Sequence, residues 1–263
     1  MSNDTASETP IEQLFDQSVT QGSARYWAAH FTIEPARPVV KAVLCFAHTM
    51  DLLTGVSPEV IAEKSIWWHE ELTDTTLTSA RHPVTQTLLQ HIHEASPENG
   101  DSVSAAIVHT MHRHLHGALM SQQRTAIDSD DAWLQYLELR LGTLHELLAL
   151  ASGASNQDAQ ALGEWATKLH SASILRATEH FQDGRLLTPP DALTENVKTG
   201  QPQLPTEQQP LAPPANQVLI DLELKWWKNP PDQASPIFTG LPVGLRGMLA
   251  AWRAARKAHS YLI

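Results

Sequence analysis

The sequence predicts an all-α fold, and three observations carry that prediction. Apolar residues recur at helical spacing along most of the chain. Alternating β-branched runs and Asn-Gly or Asp-Gly hairpin turns are scarce. Prolines and capping residues fall where helices would begin.

In order along the chain, Ile11 to Gln21 reads as a first helix leading into one that carries Ala24 to Phe31. Pro35 and Pro38 mark the entry to a helix of about Val39 to Thr54. Ser57, Pro58 and Glu59 form a cap with proline in the first turn, which opens the helix containing Ile66-Trp67-Trp68-His69-Glu70-Glu71-Leu72. His82 and Pro83 open another, ending before Ser96-Pro97, and Ser102 to Ser121 forms the next. Asp128 to Ala151 is a long helix whose opening acids suit its N-terminal dipole. Asn156 or Asp158 begins the helix that holds Trp165 and Arg176. From Thr199 to Gln217 the composition turns to proline and glutamine, the mark of a loop with extended segments. Val218 to Lys228 is a short helix stopped by Pro230-Pro231, and Leu241 to Ala258 is the last. Residues 1–10 are expected to be disordered, and residues 11–263 to form one domain.

Composition narrows the function. With 42% hydrophobic residues, 263 residues can bury a sizeable core. A net charge of −11, from 29 acids against 18 bases, argues against a nucleic-acid surface, which needs clustered cations. Arg246, Arg253, Arg256 and Lys257 gather on the last helix and read as a solvated face near its C-terminus. No run of about 18 apolar residues is present, and the polar opening lacks the features of a secretory signal. The expectation is a cytoplasmic protein, with peripheral membrane contact left open. The single cysteine, Cys45, excludes an internal disulfide, and its apolar setting makes it a core residue.

Three segments carry chemistry. Leu162 to Pro190 keeps Leu162, Gly163, Ile174, Leu175, Arg176, Gly184, Arg185 and Pro189 of a pattern written LGxALQLTNILRDxxED, then GR, then YLP. Ser65 to Leu89 keeps Trp68, Glu71, Leu72, His82, Pro83 and Val84 of LxxWRxEL...HPVxxAL. Tyr136 to Leu150 keeps Tyr136, Gly142, Glu146 and Leu147 of YCYxVAGxVGELL. Together, in the order in which they occur along the chain, they resemble the squalene/phytoene synthase family. The resemblance implies a helical isoprenoid-synthase bundle around a central cavity, in which two prenyl diphosphates condense head to head.

That reaction needs magnesium to neutralise the departing diphosphate, and the family holds it with two acidic motifs on facing helices. Here the first motif, DDxxD, aligns with Asp51, Leu52, Leu53, Thr54 and Gly55, so only Asp51 remains, and His48 replaces the preceding arginine. In the second, Ser173 stands at the asparagine, while Ala177 and Phe181 stand at the acids. One carboxylate cannot hold a magnesium cluster. The chain is therefore expected to be a non-catalytic member, needing no cofactor, that binds an isoprenoid or lipid, or a protein partner. Tyr26, His48, Asp51, Tyr136, Gly142, Ser173 and Arg176 are the expected substrate-binding positions, and Asp51→Ala is expected scarcely to affect folding.

Two alternatives remain. A divergent prenyltransferase could hold magnesium or another divalent metal through His48, Asp51, His180 and Asp183, with Glu179 nearby. An interaction module could have filled its cavity with side chains, as apolar Leu52, Leu53 and Phe181 suggest. His109, His112 and His116 share one helical face while His114 points elsewhere; surface or partly buried histidines are the simpler reading. Trp67-Trp68 and Trp226-Trp227 each place one indole toward the core.

Overall fold

The computed structural model describes residues 9–53, 56–73, 79–95, 100–122, 127–176, 205–228 and 243–259, and all regular structure in them is helical. The expectations for residues 1–8, 177–204 and 229–242 lie outside the described residues.

Helix α1 (Pro10–Ser18) starts on a proline and buries Ile11 and Phe15, one turn apart. Helix α2 (Ala24–His30) is capped by Ser23, whose hydroxyl accepts the Tyr26 amide at 3.2 Å. Both lean on α3 (Arg37–Leu52). Nine residues of α3 are buried, including Cys45 and the run Val43-Leu44-Cys45-Phe46-Ala47, so this helix has little solvent face and serves as the axis of the bundle. Burial pushes the Cys45 thiol up to about 12, as expected for a core residue.

Helices α4 (Pro58–Thr73), α5 (Pro83–Ala95) and α6 (Gly100–Gln122) follow. Glu71 of α4 explains why the two halves of the Trp-Glu-Leu and His-Pro-Val segment occur together. Its buried carboxylate accepts the backbone amides of Arg81 and His82 and the Thr85 hydroxyl, and so satisfies the N-terminus of α5. Burial raises the Glu71 carboxyl, but these hydrogen bonds outweigh it and leave the group below its ordinary value.

Helix α7 (Asp130–Leu137) is capped by Ser129 and continues through a π-helical segment (Glu138–Gly142) into α8 (Thr143–Ala151). The sequence reads as a single helix here, because no proline or turn signal interrupts it between Asp128 and Ala151. Its effect is local: Arg140, Leu141, Gly142, Thr143, Leu144 and His145 are six consecutive buried residues, which a regular surface helix would not bury together.

Helix α9 (Asn156–Arg176) packs on α8 and the π segment. The close approach depends on two glycines. A side chain on Gly163 would lie 2.9 Å from the Gly142 carbonyl oxygen, and one on Gly142 would lie 2.4 Å from the Thr167 hydroxyl. The last helices are α10 (Pro214–Lys228) and α11 (Gly244–His259), which pack on each other and on α2.

Helix α10 begins at Pro214, four residues before the expected Val218, and α11 at Gly244 rather than Leu241. Proline in a first turn starts a helix as readily as it breaks one. Ala215, Asn216 and Gln217 are buried, so tertiary contact decides where the proline-rich stretch ends.

Candidate functional site

Asp51, the one acid left of the first motif, lies near the C-terminal end of α3, and its two oxygens are both taken. Oδ2 pairs with Arg25 Nη1 at 2.8 Å, and Oδ1 with Arg140 Nη2 at 2.7 Å. Arg25 comes from α2 and Arg140 from the π segment, so the cluster ties three elements together. The Asp51 side chain is 18% exposed, Arg25 13% and Arg140 3%. Burial alone would raise the Asp51 carboxyl, but the two guanidinium charges pull it down to about 2.

His114 adjoins this cluster electrostatically. The Thr143 hydroxyl gives its proton to the Leu139 carbonyl at 2.7 Å, so it must accept from His114 Nδ1 at 2.8 Å. That fixes the tautomer, with Nδ1 carrying the hydrogen and Nε2 a lone pair. Burial, reinforced by the Arg140 charge, holds His114 down to about 3, so the ring is neutral at ordinary pH. Among the described residues, Arg140 Nε and Nη1, Arg25 Nε and His114 Nε2 have no hydrogen-bond partner. Counted over the same residues, the cluster has two cations, one anion and guanidinium donors to spare.

Magnesium does not suit this donor set. It takes several oxygen ligands and binds carboxylates that are free to face it, whereas both oxygens here face guanidinium groups that would repel a dication. Among the described residues no three His, Cys, Asp or Glu side chains converge to hold a metal. For Asp51→Ala this geometry gives a different expectation from the sequence, because removing the carboxylate would leave Arg25 and Arg140 without their shared anion.

The other expected positions lie on α2, α3, α7, the π segment and α9. Tyr26 stacks on His30, with ring centroids 5.7 Å apart, and packs on the core. His48 is half-buried on α3. Tyr136 is buried beside Trp133, and its hydroxyl meets the Ser121 hydroxyl at 2.8 Å. Gly142 forms the close helix contact described above, which is a packing role. Ser173 is buried, and its hydroxyl has no hydrogen-bond partner. Arg176 ends α9, while His180 and Asp183 lie outside the described residues.

The histidines separate as their spacing indicates. His114 is buried, while His109 and His116 are exposed and His112 is half-buried against His69 of α4, with ring centroids 5.2 Å apart. Trp68 is the buried member of its pair, and Trp226 is buried.

Sequence reasoning missed Arg25, Arg140 and a second polar cluster. The signal for Arg140 was available, since YCYxVAGxVGELL places valine where this chain has arginine. The second cluster joins α8, α9 and α10: His145 Nε2 lies 3.0 Å from His170 Nε2, and the Asn216 amide lies 2.8 Å from the His145 carbonyl and 3.2 Å from its Nδ1. The Asn216 amide donates both hydrogens, which leaves His145 Nδ1 as acceptor and Nε2–H as donor to His170. Burial holds His145 down to about 4 and, together with His145, holds His170 well below its ordinary value. No sequence spacing announces a contact between residues 25 and 71 positions apart.

Two cavities of about 490 Å³ each lie elsewhere. An apolar one opens between the α2–α3 connection at Ile33 and Pro35, the α8–α9 turn at Ala154, and Leu211 and Pro213 before α10. A polar one lies among α6, α8 and α9, where Arg113 pairs with Glu146. Neither is lined by Asp51, Tyr26, His48, Tyr136 or Ser173. No helix among the described residues is long and apolar enough to cross a membrane.

Among curated proteins the comparison finds no match. A protein-family model described as squalene/phytoene synthase matches residues 19–257.

Proposed function

We propose, from the premise that the chain belongs to the squalene/phytoene synthase family, that it is a non-catalytic member which binds an isoprenoid or other lipid, or a protein partner, and needs no metal. The observation that carries this reading is the Arg25–Asp51–Arg140 cluster. Family chemistry ionises a carbon–oxygen bond, and the stabilisation of the departing diphosphate is the largest part of that task. A carboxylate engaged by two guanidinium groups is a poor magnesium ligand, so the cluster supports loss of the reaction. The unpaired N–H groups of Arg25 and Arg140 suit an anionic head group that brings its own charge and no metal.

The test is incubation of the purified chain with farnesyl and geranylgeranyl diphosphates, with magnesium or manganese, with and without NADPH. Diphosphate release and lipid products are read by mass spectrometry. The expected result is no product from protein shown to be folded, together with a rise in Tm on adding either diphosphate in the presence of a chelator. Metal-dependent product would overturn the reading and favour a divergent prenyltransferase with replacement ligands among His48, Asp51, His180 and Asp183.

A further inference from the structure

Helix α11 carries its side chains the wrong way round for a surface helix. The face packed on α10 and α2 is made of Gly247, Ala251, Ala254, Ala255 and Ala258, all small and all buried. The large apolar residues point to solvent instead: Leu245 is 68% exposed, Leu249 40% and Trp252 42%. At i, i+4 and i+7 they form one continuous stripe. An ordinary surface helix would turn that stripe inward, because each such side chain gains from leaving water.

The stripe is bordered by cations. Arg246, Arg253, Arg256 and Lys257 are all exposed on the same helix, and the Arg256 guanidinium lies 4.9 Å from the centre of the Trp252 ring. These are four of the 18 basic residues of the chain, and α11 has no Asp or Glu although the chain has 29. In a protein of net charge −11, this helix is a local reversal of sign. Its small inner face lets it lie flat on α10, where Lys225 of that helix also bonds the Arg246 carbonyl at 2.7 Å.

We propose that this face docks on an anionic lipid surface, with α11 in the plane of the bilayer, Leu245, Leu249 and Trp252 at the boundary of acyl chains and head groups, and the four cations against lipid phosphates. An indole beside long basic side chains matches the layered polarity of that boundary, where the ring sits at head-group depth and the cations reach outward. A nucleic acid would use the cations but leave the stripe in water. The negative charge on the rest of the molecule is repelled by the same surface, which favours approach through α11 alone.

The experiment is flotation of the full chain with vesicles of phosphatidylcholine alone, or with about one-third phosphatidylglycerol, at about 0.1 M and about 1 M salt. The chain is expected to float with the anionic vesicles at low salt and not with phosphatidylcholine alone. Replacing Leu245, Leu249 and Trp252 together by serine should lower partitioning about tenfold or more. Replacing Arg246, Arg253 and Lys257 together by glutamine should lower it roughly a hundredfold, at about fivefold per cation. All six side chains are exposed, so both variants should keep the wild-type circular dichroism and Tm, which is checked first. The proposal is overturned if the wild type does not float with anionic vesicles, or if the folded serine variant floats as well as the wild type. Dimerisation through this face without flotation would make a second copy the occupant and would equally overturn it.

Discussion

The Asp51 cluster and the His145 cluster are both polar, both buried in the same bundle, and resolved in opposite ways. Around His145 every assigned proton goes from one neutral group to another: Asn216 donates to His145, and His145 donates to His170. Around Asp51 the groups are charged, and among the described residues two cations share one anion and four ring or guanidinium nitrogens have no partner. The His145 network is neutral, and Asn216 Oδ1, which has no hydrogen-bond partner among the described residues, is an uncharged acceptor. Among the described residues the Asp51 cluster sets two cations against one anion, and partly buried charge is costly unless it is paired. The comparison therefore sets a neutral network that joins helices against a charged one.

Acid should break the comparison most strongly. His114, His145 and His170 are all depressed below the roughly 6.5 of an unfolded histidine, the first to about 3, the second to about 4 and His170 well below its ordinary value. Above that unfolded value neither state is protonated, and stability does not change with pH. Below it the unfolded chain takes up protons that the folded chain refuses, so stability falls until the folded values are reached. At pH 5 the loss is roughly 2 kcal/mol per histidine. Urea denaturation at several pH values should show a steep decline from about pH 6.5 downward, and a flat profile to pH 5 would contradict the buried neutral assignment. Asp51, whose carboxyl sits near 2, adds its own loss only as pH falls below about 4, the usual unfolded value.

Next in size is Asp51→Ala, which should destabilise the fold by about 3 kcal/mol because Arg25 and Arg140 lose their shared anion. The double variant Asp51→Ala/Arg140→Leu should recover part of that loss in urea. If the single substitution leaves the unfolding midpoint unchanged, the cluster does not hold charge as described.

Gly142→Ala tests the helix contact beneath both clusters. Its added carbon would meet the Thr167 hydroxyl at 2.4 Å and the Gly163 carbonyl at 3.0 Å, so the π segment and α9 must part, at a cost of about 2 kcal/mol. Adding Thr167→Ala should relieve some of it, and the Tm of the pair reports whether it does. The smallest effect expected is at Cys45, where a thiol reagent should label native protein at neutral pH far more slowly than protein in urea.

Much of the fold was legible because helices advertise themselves locally. Pro58 and His82-Pro83 gave starts that depend on neighbouring residues only, and the long helix expected from Asp128 begins at Asp130. Ends that depend on burial, such as Pro214, were misplaced, and the π segment at Glu138–Gly142 was invisible to a pattern with a helical period. The site was legible only as a loss. The sequence identified Asp51 as the remaining acid, but it had no means of showing that Arg25 and Arg140, 26 residues before it and 89 after, would close on it.

The sequence by itself determined an all-helical chain, the family pattern, a core cysteine and the absence of the first acidic motif beyond Asp51, because each is written in residue type and near spacing. Only the tertiary structure decided what surrounds Asp51, which of the clustered histidines is buried, and that α11 turns its large apolar residues outward. Those outcomes depend on which helix faces meet across long separations. They follow from packing, through contacts such as Gly142 on Gly163, which no local propensity contains.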